Sequence, residues 1–84
     1  MKWDVKSVQP LANFMLGIEF RDGSSGVFDM KPYLHFGAFR QLREPGYFEQ
    51  VSVQWDAVSW PQGQDIAPDT LLAKICWDVD SRTT

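Results

Sequence analysis

Trp60-Pro61-Gln62-Gly63-Gln64-Asp65-Ile66-Ala67-Pro68-Asp69 reads as a strand ending, a loop and a helix beginning within ten residues. Trp60 closes an alternating apolar run. Pro61 has no N–H to give a strand ladder, so the strand is expected to stop there. Gly63 opens backbone conformations that side chains disfavour. Pro68 suits the first turn of a helix, where a missing N–H costs nothing, and Asp69 complements the positive helix start. Ile66 and Leu71 are spaced to pack across that start as a hydrophobic staple.

Working outward, the helix is expected over 68–77, with Leu71, Leu72, Ile75 and Cys76 on one arc and Lys74 facing away. Upstream, Val51, Val53 and Trp55 alternate, Asp56-Ala57 offers a tight turn, and Val58 and Trp60 alternate again, which makes a small hairpin. Near the start, Phe14, Leu16, Ile18 and Phe20 alternate with Met15, Gly17 and Glu19 as a half-buried strand. Asp22-Gly23 follows as a hairpin turn signal, because both residues tolerate positive φ. Residues 25–30 return with Val27, Phe28 and Met30. Trp3, Val5 and Val8 mark a first strand ending near Pro10. The middle is irregular: Ala38, Phe39 and Leu42 predict a helical turn near 37–43, Pro45-Gly46 breaks it, and Tyr47-Phe48 form a second short turn. The expected class is α+β: a three-stranded antiparallel meander, a second small hairpin, short middle helices and one C-terminal helix. The polar tail, 78–84, is expected to fray.

At 84 residues the chain makes one domain, 1–84, and the surface-scaling rule has it burying about 64% of its unfolded surface. That is close to the lower limit for standing alone. Net charge is −3, and the eight basic residues are scattered, so no patch is built to neutralise phosphates. No direct nucleic-acid contact is expected. No apolar run approaches the roughly 20 residues of a membrane span, and no signal-peptide core follows Met1. The single cysteine excludes an intramolecular disulfide, and the default compartment is the cytoplasm.

The order of motifs resembles a known family. It runs from Leu16-Gly17-Ile18-Glu19-Phe20-Arg21-Asp22-Gly23 through Phe28-Asp29-Met30, Phe39-Arg40-Gln41-Leu42 and Phe48. It ends in Trp60-Pro61-Gln62-Gly63-Gln64-Asp65 and Pro68-Asp69-Thr70-Leu71. Together these are similar to the small bacterial proteins of the domain of unknown function 2442 family, over about Val5 to Leu72. The resemblance implies a compact α+β domain with a mixed or antiparallel sheet and no established catalytic residues. It also implies relatives that carry a helix-turn-helix domain after this module, and others encoded beside a small partner in predicted toxin–antitoxin pairs. The sequence departs at Leu72, where an aromatic residue is frequent, and at Asp56-Ala57, where a glycine is common. It shows no helix-turn-helix pattern.

Candidate chemistry is sparse. His35 is the only histidine, and a surface-loop role is the simplest one for it. Cys76 reads as a buried small hydrophobe rather than a reactive thiolate, since it has no helix N-terminus or basic neighbour. Asp65 and Asp69 flank a helix start, where carboxylates accept backbone N–H groups and complement the dipole. With His35 they are the residues that a small metal-dependent or acid–base hydrolase would use. A further alternative is an accessory subunit of a DNA-binding regulator. No catalytic residue, cofactor, metal site or small-molecule ligand is expected. Asp22, Gly23, Trp60, Pro61, Gly63, Asp65, Pro68 and Asp69 form the structural motif. Aromatics make up 14% of the chain. Phe14, Phe20, Phe28, Phe48 and Trp60 fit core positions, which leaves Trp3, Tyr33, Phe36, Trp55 and Trp77 as a candidate interaction surface. The preferred expectation is a non-catalytic interaction module. It would bind a small cognate protein in an antitoxin-like role or a second copy, through aromatics or an open sheet edge.

Overall fold

The computed structural model describes residues 4–77. Seven short strands form two antiparallel sheets, with a few helical turns between them, so the class is α+β and mostly sheet. The first sheet has the order β1 (Val5–Leu11), β2 (Met15–Phe20), β3 (Ser25–Asp29) and β7 (Cys76–Trp77). The second has the order β4 (Ser52–Gln54), β5 (Ala57–Ser59) and β6 (Asp65–Ile66). Between the sheets in sequence lie 3₁₀ turns at Lys31–Tyr33 and Gly37–Arg43 and the single-turn helix α1 (Pro45–Phe48). Helix α2 spans Pro68–Lys74.

One core joins both sheets. Val5, Leu16, Ile18, Phe20, Phe28 and Met30 come from the first sheet and its flanks, and Val58, Trp60 and Ile66 from the second. Leu34, Leu42 and Phe48 enter from the irregular middle, and Leu71 and Ile75 from α2 and its end. The first strand reaches this core by an irregular register. Val5 lies opposite Phe20 and Ser7 opposite Glu19, so Lys6 is an extra residue. Val8 then lies opposite Ile18. A strict period of two would put Val5 and Val8 on opposite faces; the bulge at Lys6 returns both to the inner one.

Two turns share one design. After β2, the Gly23 N–H donates to the Phe20 carbonyl at 3.0 Å and the Phe20 N–H to the Ser24 carbonyl at 2.8 Å. After β5, the Gly63 N–H donates to the Trp60 carbonyl at 3.1 Å and the Trp60 N–H to the Gln64 carbonyl at 2.9 Å. Gly23 and Gly63 have φ of 92° and 104°. Each is a three-residue loop closed by a left-handed glycine. Asp22 is not left-handed; its carboxylate instead accepts the Ser24 N–H and hydroxyl.

Several expectations are therefore corrected. Trp60-Pro61-Gln62-Gly63 does not end a sheet but turns it, and β6 returns antiparallel to β5, so the small hairpin becomes a three-stranded sheet. Pro61 takes the second position of that turn, which its fixed φ favours. The tight turn of the second sheet is Trp55-Asp56, one residue earlier than Asp56-Ala57, because Gln54 pairs with Ala57. Residues 37–43 form a 3₁₀ segment that buries Leu42 and leaves Ala38 exposed. The last helix stops at Lys74: Ile75 is extended, and Cys76–Trp77 pair with Gly26 and Val27. Leu71 and Ile75 are buried and Leu72 is half-buried, but Cys76 is exposed. The tail 78–84 and Trp3 lie outside the described residues.

Closure of the first sheet by β7 depends on Gly26. A Cβ there would lie 2.6 Å from the Cys76 carbonyl oxygen and 3.0 Å from the Ile75 side chain. Backbone cannot yield that distance cheaply. Gly26→Ala is expected to destabilise the fold by about 1–3 kcal/mol in urea unfolding, the usual cost of overpacking. Gly17→Ala is the control, since its Cβ would meet only ordinary contacts, the nearest at 3.5 Å from Leu11.

Candidate functional site

The Trp60–Asp65 motif is built into a buried polar network. Gln64 is 6% exposed and sits two residues before Ile66, so both point inward. Its amide nitrogen donates to the Ala38 carbonyl and to Gln41 Oε1, each at 3.0 Å. Its oxygen accepts the Tyr47 hydroxyl at 2.6 Å, and that hydroxyl in turn accepts the Gln62 N–H at 2.8 Å. The Trp60 indole N–H donates to the Phe48 carbonyl at 3.0 Å. Two side chains of one hairpin thus hold the irregular segment 38–48, whose backbone groups have few strand partners of their own. Among the described residues no buried side-chain polar atom lacks a partner. The motif is a staple of the fold.

The most unusual local feature lies at the other end of the second sheet. Trp55 and Asp56 both have positive φ, 53° and 63°, as the two central residues of a type I′ hairpin must. That turn favours Asn, Asp and Gly; a tryptophan there is strained. Trp55 is also 96% exposed. Asp56 braces the turn against the first sheet: its carbonyl accepts the Val5 N–H at 3.4 Å and its carboxylate pairs with Arg21 Nε at 3.5 Å. Beside Trp55 the outer face of the second sheet is a shallow depression of about 800 Å³, floored by Ser52, Gln54, Ala57 and Ser59, with Asp65 at its wall.

The other aromatics are placed differently. Tyr33 is half-buried and stacks on Phe28, with centroids 5.7 Å apart at 16°. Trp77 is half-buried with its ring 5.5 Å from Phe20. Phe36 is 57% exposed and lies against His35, 4.7 Å between centroids. His35, Asp65 and Asp69 are all exposed, and among the described residues no three His, Cys, Asp or Glu side chains are grouped to hold a metal ion. The long edge strand β1 is blunted by its bulge, by Lys6 and by Pro10, three devices that discourage strand addition.

The family described as "Protein of unknown function (DUF2442)" matches residues 5–78. The chain belongs to the DUF2442 family. No curated protein and no solved structure matches it. The matched span takes in the seven strands found among the described residues, the Gln64 network and the Trp55 turn. Among its described residues no helix is long and apolar enough to cross a membrane.

Nothing about Gln64 announces burial in the sequence except its place two residues before Ile66. Truncating it removes the part-buried partner shared by the Tyr47 hydroxyl, the Ala38 carbonyl and Gln41 and leaves a cavity at a buried position. Gln64→Ala is expected to cost on the order of 2–3 kcal/mol in chemical denaturation, whereas Gln62→Ala, exposed and bonded through its backbone, stays within about 0.5 kcal/mol. A smaller effect is expected of Asp29. The Lys31 N–H at 2.9 Å holds its carboxyl below the ordinary aspartate range, helped by the Lys31 ammonium at 3.1 Å. A lowered folded-state pKa contributes stability above the unfolded value and loses it as pH falls through the folded one. Unfolding midpoints of wild type and Asp29→Ala should therefore differ slightly near neutrality and converge on the acid side of the aspartate range, the gap being small because the carboxylate is solvated.

Proposed function

We propose that this DUF2442 chain is a non-catalytic protein-interaction module with Trp55 as its anchor, acting on a small cognate protein or a second copy. The observation that carries the reading is a bulky side chain held in a strained conformation and turned almost wholly into water. Phe14 makes the comparison. It too is left-handed, at φ 58°, but its ring packs edge-on against Phe48 with centroids 5.3 Å apart, so the core offsets its strain. Trp55 has no such return among the described residues. Strain without packing is a cost of roughly 1–3 kcal/mol that folding alone does not explain. Tryptophan is also among the residues that most often dominate protein interfaces.

Bracing by Val5 and Arg21 fits the same role, since an anchor held in place loses little entropy when it docks. The blunted β1 edge directs the reading toward side-chain recognition and away from strand addition.

Trp55→Asn separates stability from association. Asparagine accepts the left-handed turn, so the variant is expected to gain about 1 kcal/mol, or roughly 4–8 °C in Tm for a domain of this size. Association should weaken by about thirtyfold or more, the loss of an interface anchor. Size-exclusion with light scattering over a concentration series, and co-purification with the neighbouring gene product, read the second effect. If neither the solution mass nor partner retention depends on Trp55, the reading fails.

A further inference from the structure

We infer that the depression on the outer face of the second sheet receives Trp55 from a second copy of this chain, whose own depression receives Trp55 in return. The inference rests on the interaction-module reading and names its partner. Strand register sets the floor: Ser52 lies opposite Ser59, Ser59 opposite Asp65, and Gln54 opposite Ala57. Val58 and Ile66 are buried, so these five alternate to the outer face. Ser52, Ala57 and Ser59 are small, which leaves open a surface beside Trp55 that bulkier side chains would fill.

A second copy is selected because this face holds both halves of one contact. A two-fold interface is self-complementary, the same patch meeting itself. Here a ring that is 96% exposed borders a hollow floored by small side chains. Laying two hairpins face to face, related by a half-turn, sets each ring over the other copy's serines. Polar groups match as well. Among the described residues the Trp55 indole N–H has no acceptor and the Asp65 carboxylate has no donor or cation. Reciprocal docking offers each to the other, so a carboxylate meets an indole rather than the second carboxylate.

Area favours the reciprocal form. An enclosed aromatic ring buries roughly 150–250 Å², so one ring and the floor it covers contribute about 300–500 Å². That is far short of the roughly 1,200 Å² at the low end of stable interfaces. Two such contacts give about 600–1,000 Å², and the rims between them bring the total near that limit. The dimer is therefore a weak and reversible one.

The test is sedimentation equilibrium of the full chain, with a Kd expected on the order of 10–100 μM. Trp55→Asn removes the ring and Ser59→Lys fills the hollow; each alone should weaken the dimer by about thirtyfold or more. An equimolar mixture of the two variants should associate roughly tenfold more tightly than either alone. Its heterodimer keeps one ring in one open hollow, and no ring faces the filled one. In a mixture of differently isotope-labelled wild-type copies, the Trp55 ring of one should show NOEs to the Ala57 methyl of the other. A monomer up to about 1 mM, a Ser59→Lys dimer as tight as wild type, a mixture no tighter than its components, or a dimer without that NOE would each overturn the inference. If the chain stays monomeric while retention of the neighbouring gene product still depends on Trp55, this inference fails and the anchor reading stands. If Trp55→Asn changes neither the solution mass nor that retention, both fail.

Discussion

The buried amide of Gln64 is the constraint on which the irregular half of this molecule depends. Residues 31–50 contain no strand, so their backbone groups cannot find partners in a ladder. A single side chain with two donors and an acceptor meets three of them or their neighbours at once: the Ala38 carbonyl, Gln41 and Tyr47. The Trp60 indole adds the Phe48 carbonyl. Both side chains come from either end of the same glycine-closed turn, so the turn geometry and the docking of the middle segment are one event. A buried polar network of this kind is stabilising only when complete, which couples the second sheet to the helical turns around Leu42 and Phe48.

The first sheet depends on a different economy of space. Its last strand contributes two residues and sits where Gly26 has no side chain. The chain leaves α2 after Lys74 and returns to the sheet with only Ile75 between, which brings Ile75 into the core and turns Cys76 outward. Both sheets therefore close with very short strands, and the long edge strand β1 is bulged and interrupted by proline. The result has little exposed ladder to recruit another chain.

Against that background the strain is unevenly used. Phe14 and Trp55 are both bulky residues in a conformation that favours glycine and asparagine. One is packed into an aromatic series with Phe48 and Trp60; the other stands in solvent on a braced turn. The same backbone cost supports the core in one place and an exposed ring in the other.

The alternation of Leu16, Ile18 and Phe20, the Asp22-Gly23 turn, the short turn at Tyr47-Phe48 and the α2 start at Pro68 were all legible in the sequence. Each is a local matter of period, φ preference or a missing N–H. The order of motifs also carried the family. Tertiary structure alone decided the rest. Whether Trp60–Gly63 ends a sheet or turns it depends on β6 finding β5, and whether residues 75–77 continue a helix depends on the space left by Gly26. Of the candidate surface, the sequence marked Trp55 but not its strain, since moving the turn by one residue changes which side chains must be left-handed. Gln64 looked like one polar loop residue among several, because burial is set by what packs over a position, and those neighbours come from 17 to 26 residues away along the chain.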